Sequence, residues 1–178
     1  MPPETYDEFK AKNLHLLKFL PYMELLNKES HRGAVLISTG FLEQQLKDIL
    51  LAFMLNSAQS EDLVGGHNAP LGTFSSRISA CYALGLITED EQHDLTLLRR
   101  IRNDFAHDIH TSFETRSVVD RCKLLKGKAH DYDSPTLGEV RVDAAGQCTS
   151  AAVGLILSLV NRAHYVAQQR RSPSTWPR

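Results

Sequence analysis

The stretch that decides the fold is Thr88-Glu89-Asp90-Glu91-Gln92-His93-Asp94-Leu95-Thr96-Leu97-Leu98-Arg99-Arg100-Ile101-Arg102-Asn103-Asp104-Phe105-Ala106-His107. Leu95, Leu98, Ile101 and Phe105 recur at three- and four-residue steps, which puts them on one face of a helix and on neither face of a strand. Thr88 and Glu91 stand in the relation of a capping box, in which each side chain satisfies a free amide of the first turn. The spacing predicts a helix from about Thr88 to His110.

The same period runs outward in both directions. Tyr6 to Leu20 reads as a first helix, with Phe9, Leu16, Leu17 and Leu20 as its apolar face, and Pro21 interrupts it before a short turn through Glu24, Leu25 and Leu26. A long helix follows from about Ser30 to Leu55. Gly33 and Gly40, two turns apart within it, predict close approach of a neighbouring helix, because glycine in a helix costs roughly 1 kcal/mol against alanine. Ser57 to Gly72 is small and polar and reads as a loop. Thr73 opens a helix over Phe74 to Leu84, with Gly85 placed as its C′ residue.

Thr111 and Glu114 predict a second capping box, opening a helix through Val118, Val119, Cys122 and Leu125 to near Gly127. Lys128 to Ala145 reads as a long loop with a short extended piece at Val140 to Val142. Gly146 to Gln169 is a last helix. Its most apolar run, Ala151 to Val160, is too short to span a bilayer and reads as core. The expected architecture is all-α, a single-domain bundle of about six helices over residues 1–171, with a disordered tail over 172–178.

Composition bounds the function. The chain has 178 residues, with 20 Lys and Arg against 21 Asp and Glu, a net charge of −1. A domain that binds nucleic acid chiefly through phosphates usually carries a basic excess, so the bulk charge argues against that class. Cys81, Cys122 and Cys148 are widely spaced and odd in number, as expected of reduced thiols in a cytoplasmic protein. No signal peptide is legible at the N-terminus.

Two stretches carry a family resemblance. They are Leu71-Gly72-Thr73-Phe74-Ser75-Ser76-Arg77-Ile78, continuing to Tyr82-Ala83-Leu84-Gly85-Leu86-Ile87, and Leu97-Leu98-Arg99-Arg100-Ile101-Arg102-Asn103-Asp104-Phe105-Ala106-His107. With Phe41-Leu42-Glu43 upstream, the set resembles the mannitol operon repressor family of bacteria over roughly Ser30 to Leu125. The resemblance implies an all-helical fold and a role in repressing genes for mannitol uptake and metabolism. The second stretch also resembles the signature of HEPN domains, helical bundles that often dimerise and some of which are ribonucleases. Arg102, Asn103 and His107 match its positions.

In the ribonuclease reading, His107 supplies an imidazole that titrates near neutral pH and serves as acid or base. Arg102 grips phosphate oxygens and Asn103, one turn before His107, orients the ring. Arg102 and His107 lie about 140° apart around the helix, so a shared site needs a long reach or a second subunit. In the competing structural reading, Asn103 and His107 form a buried polar network and Arg102 pairs with Glu43. Glu43, Arg77, Arg99, Arg102, Asn103 and His107 are the candidate interaction residues under that reading, with Arg100 and Asp104 an ion pair.

His107 and His110 with Asp94, Asp104 or Asp108 fall short of a metal site, so no metal and no cofactor is assigned. The opening carboxylates Glu89, Asp90 and Glu91 would repel phosphates from the end of a helix that should meet base edges. The function expected is therefore a transcriptional regulator working through protein contacts. Its partners are a second copy, a partner transcription factor or a mannitol-pathway protein. Direct DNA binding is doubtful, there is no membrane role, and a HEPN-type RNA-binding protein or ribonuclease is the alternative.

Overall fold

The computed structural model describes residues 19–65, 68–136, 138–169 and 171–176. The helix expected over Tyr6 to Leu20 lies almost wholly outside the described residues. Within them the protein is mainly α-helical, with seven helices and one small hairpin. These are α1 (Phe19–Leu26), α2 (His31–Phe53), α3 (Ala58–Gly65), α4 (Phe74–Ala83), α5 (Glu89–His107), α6 (Arg116–Leu124), strands β1 (Tyr132–Ser134) and β2 (Gly138–Val140), and α7 (Ala144–Gln168).

Local chemistry explains most boundaries. Ser30 caps α2, its hydroxyl accepting from the Gly33 amide at 3.1 Å. Asp143 caps α7 in the same way through Gly146 at 2.7 Å. The Thr88–Glu91 capping box forms as expected: Thr88 Oγ1 accepts from the Glu91 amide at 3.2 Å and Glu91 Oε2 from the Thr88 amide at 2.8 Å. After α4, Gly85 takes φ +69°, the left-handed conformation that glycine adopts without strain. Its amide reaches Tyr82 O at 2.9 Å while the Leu86 amide reaches Cys81 O at 2.8 Å, a Schellman closure that swings Leu86 into the core.

Several expectations are corrected. Ser57 to Gly72 is not one loop, since α3 forms inside it. Ser57 Oγ accepts from the Ser60 amide at 3.2 Å, and burial of Val64 anchors a short helix whose other large apolar side chain, Leu63, stays exposed. The second capping box does not form. Thr111 is buried and its hydroxyl donates to Asp108, while Thr115, the residue before α6, accepts from the Ser112 amide at 3.0 Å and caps nothing in the helix. The extended piece sits earlier than Val140 to Val142: Val140 pairs with Tyr132 and Gly138 with Ser134 in an antiparallel hairpin. Among the described residues the close approach expected at Gly33 and Gly40 is not seen. A methyl on Gly40 would meet none of them within 4 Å, and the nearest atoms to one on Gly33 are those of the Glu29 side chain.

The long helices α2 and α7 lie along each other as the central pair, with α5 against α2, α4 in the angle between α2 and α5, and α6 against α5 and α7. Leu42, Leu46, Ile49 and Leu50 from α2, Leu95, Leu98, Ile101 and Phe105 from α5, and Ile156 and Leu159 from α7 share one hydrophobic core. Over its 25 residues, with a mean hydropathy of 1.3 across its most apolar window, α7 is long and apolar enough to cross a bilayer, unlike the Ala151–Val160 run alone. Its buried positions, from Ala145 through Cys148, Ala152, Leu155 and Ile156 to Leu159, follow the helical period and belong to the common core. The tail over residues 172–176 is exposed and has no regular structure.

Candidate functional site

The C-terminal end of α5 carries the Arg102–His107 segment, and the rest of the molecule holds it there. Ile101 and Phe105 are sunk in the core and fix the rotation of the helix. Four carbonyls at and beyond its last turn receive one guanidinium from α2. Arg32 donates to Phe105 O, to Asp108 O at 3.0 Å, to Ile109 O at 2.9 Å and to Thr111 O at 3.2 Å. It also lies 5.5 Å from the centre of the Phe105 ring. A cation at a helix C-terminus meets the negative end of the helix dipole and the carbonyls that lack intrahelical donors.

Beyond α5 the chain turns sharply. Asp108 Oδ1 accepts from the His110 amide at 2.9 Å, and Ile109 projects into solvent, 83% exposed. Between this turn and α6 lies an open groove of about 410 Å³, lined by Asn103, Asp104, His107, Asp108, Thr111, Thr115, Ser117 and Arg121. Arg121 from α6 forms an ion pair with Asp104, which Ser117 also approaches at 3.4 Å. The groove thus holds two carboxylates, one guanidinium and one imidazole. That balance gives no positive field for a phosphate backbone.

The sequence-expected residues do not converge. Asn103 and His107 share the groove, but His107 is exposed and belongs to no buried network. Arg102 is absent from the lining and donates to its neighbour Asn103 Oδ1 at 3.3 Å. Asp104 pairs with Arg121 in place of Arg100. Glu43 pairs with Arg77, at 3.3 Å, in place of Arg102. Arg77 is itself buried and binds Leu71 O and Val64 O, each at 2.9 Å, so it pins the end of α3 and the following loop onto α4. Arg99 is half-buried on α5. No three His, Cys, Asp or Glu side chains cluster as metal ligands among the described residues.

The structural roles of three further residues escaped sequence reading. Arg32 gives no local signal, because its partners lie more than seventy positions away. Asp94 is buried and accepts from the Lys126 and Gly127 amides, both at 2.8 Å, fastening the end of α6 to the middle of α5. Arg162 on α7 grips both oxygens of Glu91 at 2.9 Å and Leu86 O at 2.7 Å. Burial pushes the Glu91 carboxyl up, but the Arg162 hydrogen bonds and the Thr88 amide outweigh it and hold the group below the usual carboxylate range.

No family model matches the chain, and no curated protein matches it. Among solved structures, a chain of the X-ray structure of the MtlR-HPr complex from Escherichia coli superposes with a TM-score of 0.55 at 22% identity, over 83% of this chain and 97% of that one. The two share a fold. The helical bundle read from the sequence is therefore one already seen in a solved protein, and at this identity the likeness extends to architecture alone.

Proposed function

We propose that this protein is a cytoplasmic transcriptional regulator of the mannitol operon repressor type, acting by contact with another protein, as a homodimer or with a partner from a sugar pathway, and not by reading an operator itself. The observation that carries the reading is the shared fold with a chain of the MtlR-HPr complex, in which a bundle of this architecture occurs in an assembly named for two proteins. The charge of α5 supports it. One end of the helix presents Glu89, Asp90 and Glu91, with Glu91 locked by Arg162, and the other borders a groove with Asp104 and Asp108. Neither end suits a phosphate backbone.

The ribonuclease alternative draws on the exposure of His107 in an open groove. It requires a free cation beside that imidazole to stabilise the phosphorane, whereas Arg102 lies outside the groove and Arg121, within it, is paired with Asp104. A single set of measurements tests both readings. Titration calorimetry of the purified protein against HPr is expected to show saturable binding, with no preference for mannitol-operon DNA over random DNA in gel shifts at physiological salt. RNA incubated with the protein should show no cleavage that His107→Ala removes. Strong operator preference by the protein alone sinks the proposal, and His107-dependent cleavage replaces it with the alternative.

A further inference from the structure

The side chains around the open groove at the end of α5 hold more hydrogen-bonding capacity than the described residues use. Asn103 takes one bond, at Oδ1 from Arg102, and its two amide N–H groups have no acceptor among those residues. His107 has no partner there at either ring nitrogen. Thr115 Oγ1 accepts from the Ser112 amide at 3.0 Å, and its own proton is uncommitted. Asp104 receives both Arg121 and Ser117 on Oδ2, which leaves Oδ1 without a donor. Arg121 uses one nitrogen in that contact and keeps its other N–H groups. Unused donors and unused acceptors therefore border one space of about 410 Å³. Its walls are fixed from outside: Arg32 holds the end of α5, Arg121 ties α6 to α5, and Asp108 sets the turn through the His110 amide at 2.9 Å and the Thr111 hydroxyl at 3.4 Å.

We propose that this groove binds a neutral polyhydroxylated small molecule, an open-chain polyol or a monosaccharide. The choice of ligand class follows from what the lining can give and take. A hydroxyl donates and accepts at one atom, so neighbouring hydroxyls on a carbon chain suit a wall that mixes the Asp104 acceptor with the Asn103 and Arg121 donors. A phosphate ester offers acceptors for Arg121 but sets its charge beside Asp104 and Asp108. An ammonium offers donors for those carboxylates but meets Arg121. A peptide could use the same mixture along its backbone, yet every lining side chain is polar, so its apolar side chains would find no pocket. The volume lies within the roughly 300–1,000 Å³ usual for small-ligand sites. Because the walls are already held, binding has little ordering to overcome. The site stands apart from the regulatory reading, since a polyol can bind here whether or not the protein contacts another.

The test is an assigned amide correlation NMR spectrum of the full chain, titrated with D-sorbitol, D-glucose and D-glucose 6-phosphate at constant pH and ionic strength. Sorbitol or glucose is expected to give saturable shifts confined to residues 103–121. Whichever saturates at the lower concentration identifies an open-chain polyol or a ring sugar as the ligand's source. The phosphate ester should bind no more tightly than glucose. Asn103→Leu and His107→Ala, both outside the core, should each weaken binding by about threefold to tenfold, the worth of one neutral hydrogen bond, with the spectrum beyond the groove unchanged. Shifts that never saturate, saturable shifts in another part of the fold, tighter binding of the phosphate ester, or full affinity in both variants overturns the proposal.

Discussion

Arg32 is the residue on which the candidate site most depends. It leaves α2, crosses to the far end of α5 and binds the carbonyls of Phe105, Asp108, Ile109 and Thr111. Those carbonyls belong to a helix end and a tight turn, where few backbone partners are on offer: of the four, Asp108 O also accepts from the Thr111 amide at 3.2 Å. One planar cation satisfies them together because its donors fan out in a fixed plane. Replacing it with glutamine keeps much of the stem but loses most of the donors. Arg32→Gln is expected to cost about 2–3 kcal/mol in urea unfolding, the scale of hydrogen bonds to a charged group, and to speed amide exchange over residues 107–111. An unchanged midpoint would show that the turn holds its shape without the arginine.

Among the elements, α2 carries a glycine that no contact with the described residues explains. Gly40 is exposed near the middle of a 23-residue helix, and a methyl there would touch none of the described residues within 4 Å. Helix propensity alone then governs the site. Gly40→Ala should stabilise the isolated protein by roughly 0.5–1 kcal/mol, read as a raised unfolding midpoint. A loss of stability instead would mean that the glycine face is covered in solution by a second molecule, which a concentration series of the same measurement would reveal.

For the whole molecule, the Arg162–Glu91 clamp is the tie between the last helix and the first turn of α5. Glu91 has a depressed pKa in the fold, with burial raising it and Arg162 and Thr88 more than compensating. The sign follows from proton linkage. A carboxylate whose folded pKa lies below its unfolded one contributes its full stability above the unfolded value, about pH 4.3, and loses it as pH falls through the folded value. The gap in Tm between the wild type and Glu91→Gln should therefore be open at pH 7 and shrink once the pH drops below about 4. A gap of equal size at pH 7 and pH 3 would show that packing, and not charge, makes the tie.

What the sequence determined by itself is local. The apolar period of α2, α5 and α7, the Thr88–Glu91 box, the helix start at Thr73 and the Gly85 closure were legible because each depends on residues within a turn or two of one another. Local rules also misled. Thr111 turned back to Asp108, three residues before it, in place of a capping box, and Ala58 to Gly65 coiled with Val64 buried in the core. The pairings that build the site are of another kind. Glu43 with Arg77, Asp104 with Arg121, and Arg32 with the end of α5 join positions 17 to 79 residues apart. A charged side chain can bond any complementary group the fold brings near, so composition cannot choose its partner. Only tertiary structure decided that Asp104 is paired with Arg121 across the groove, and that the α5 segment with which the reading began is held by an arginine from another helix.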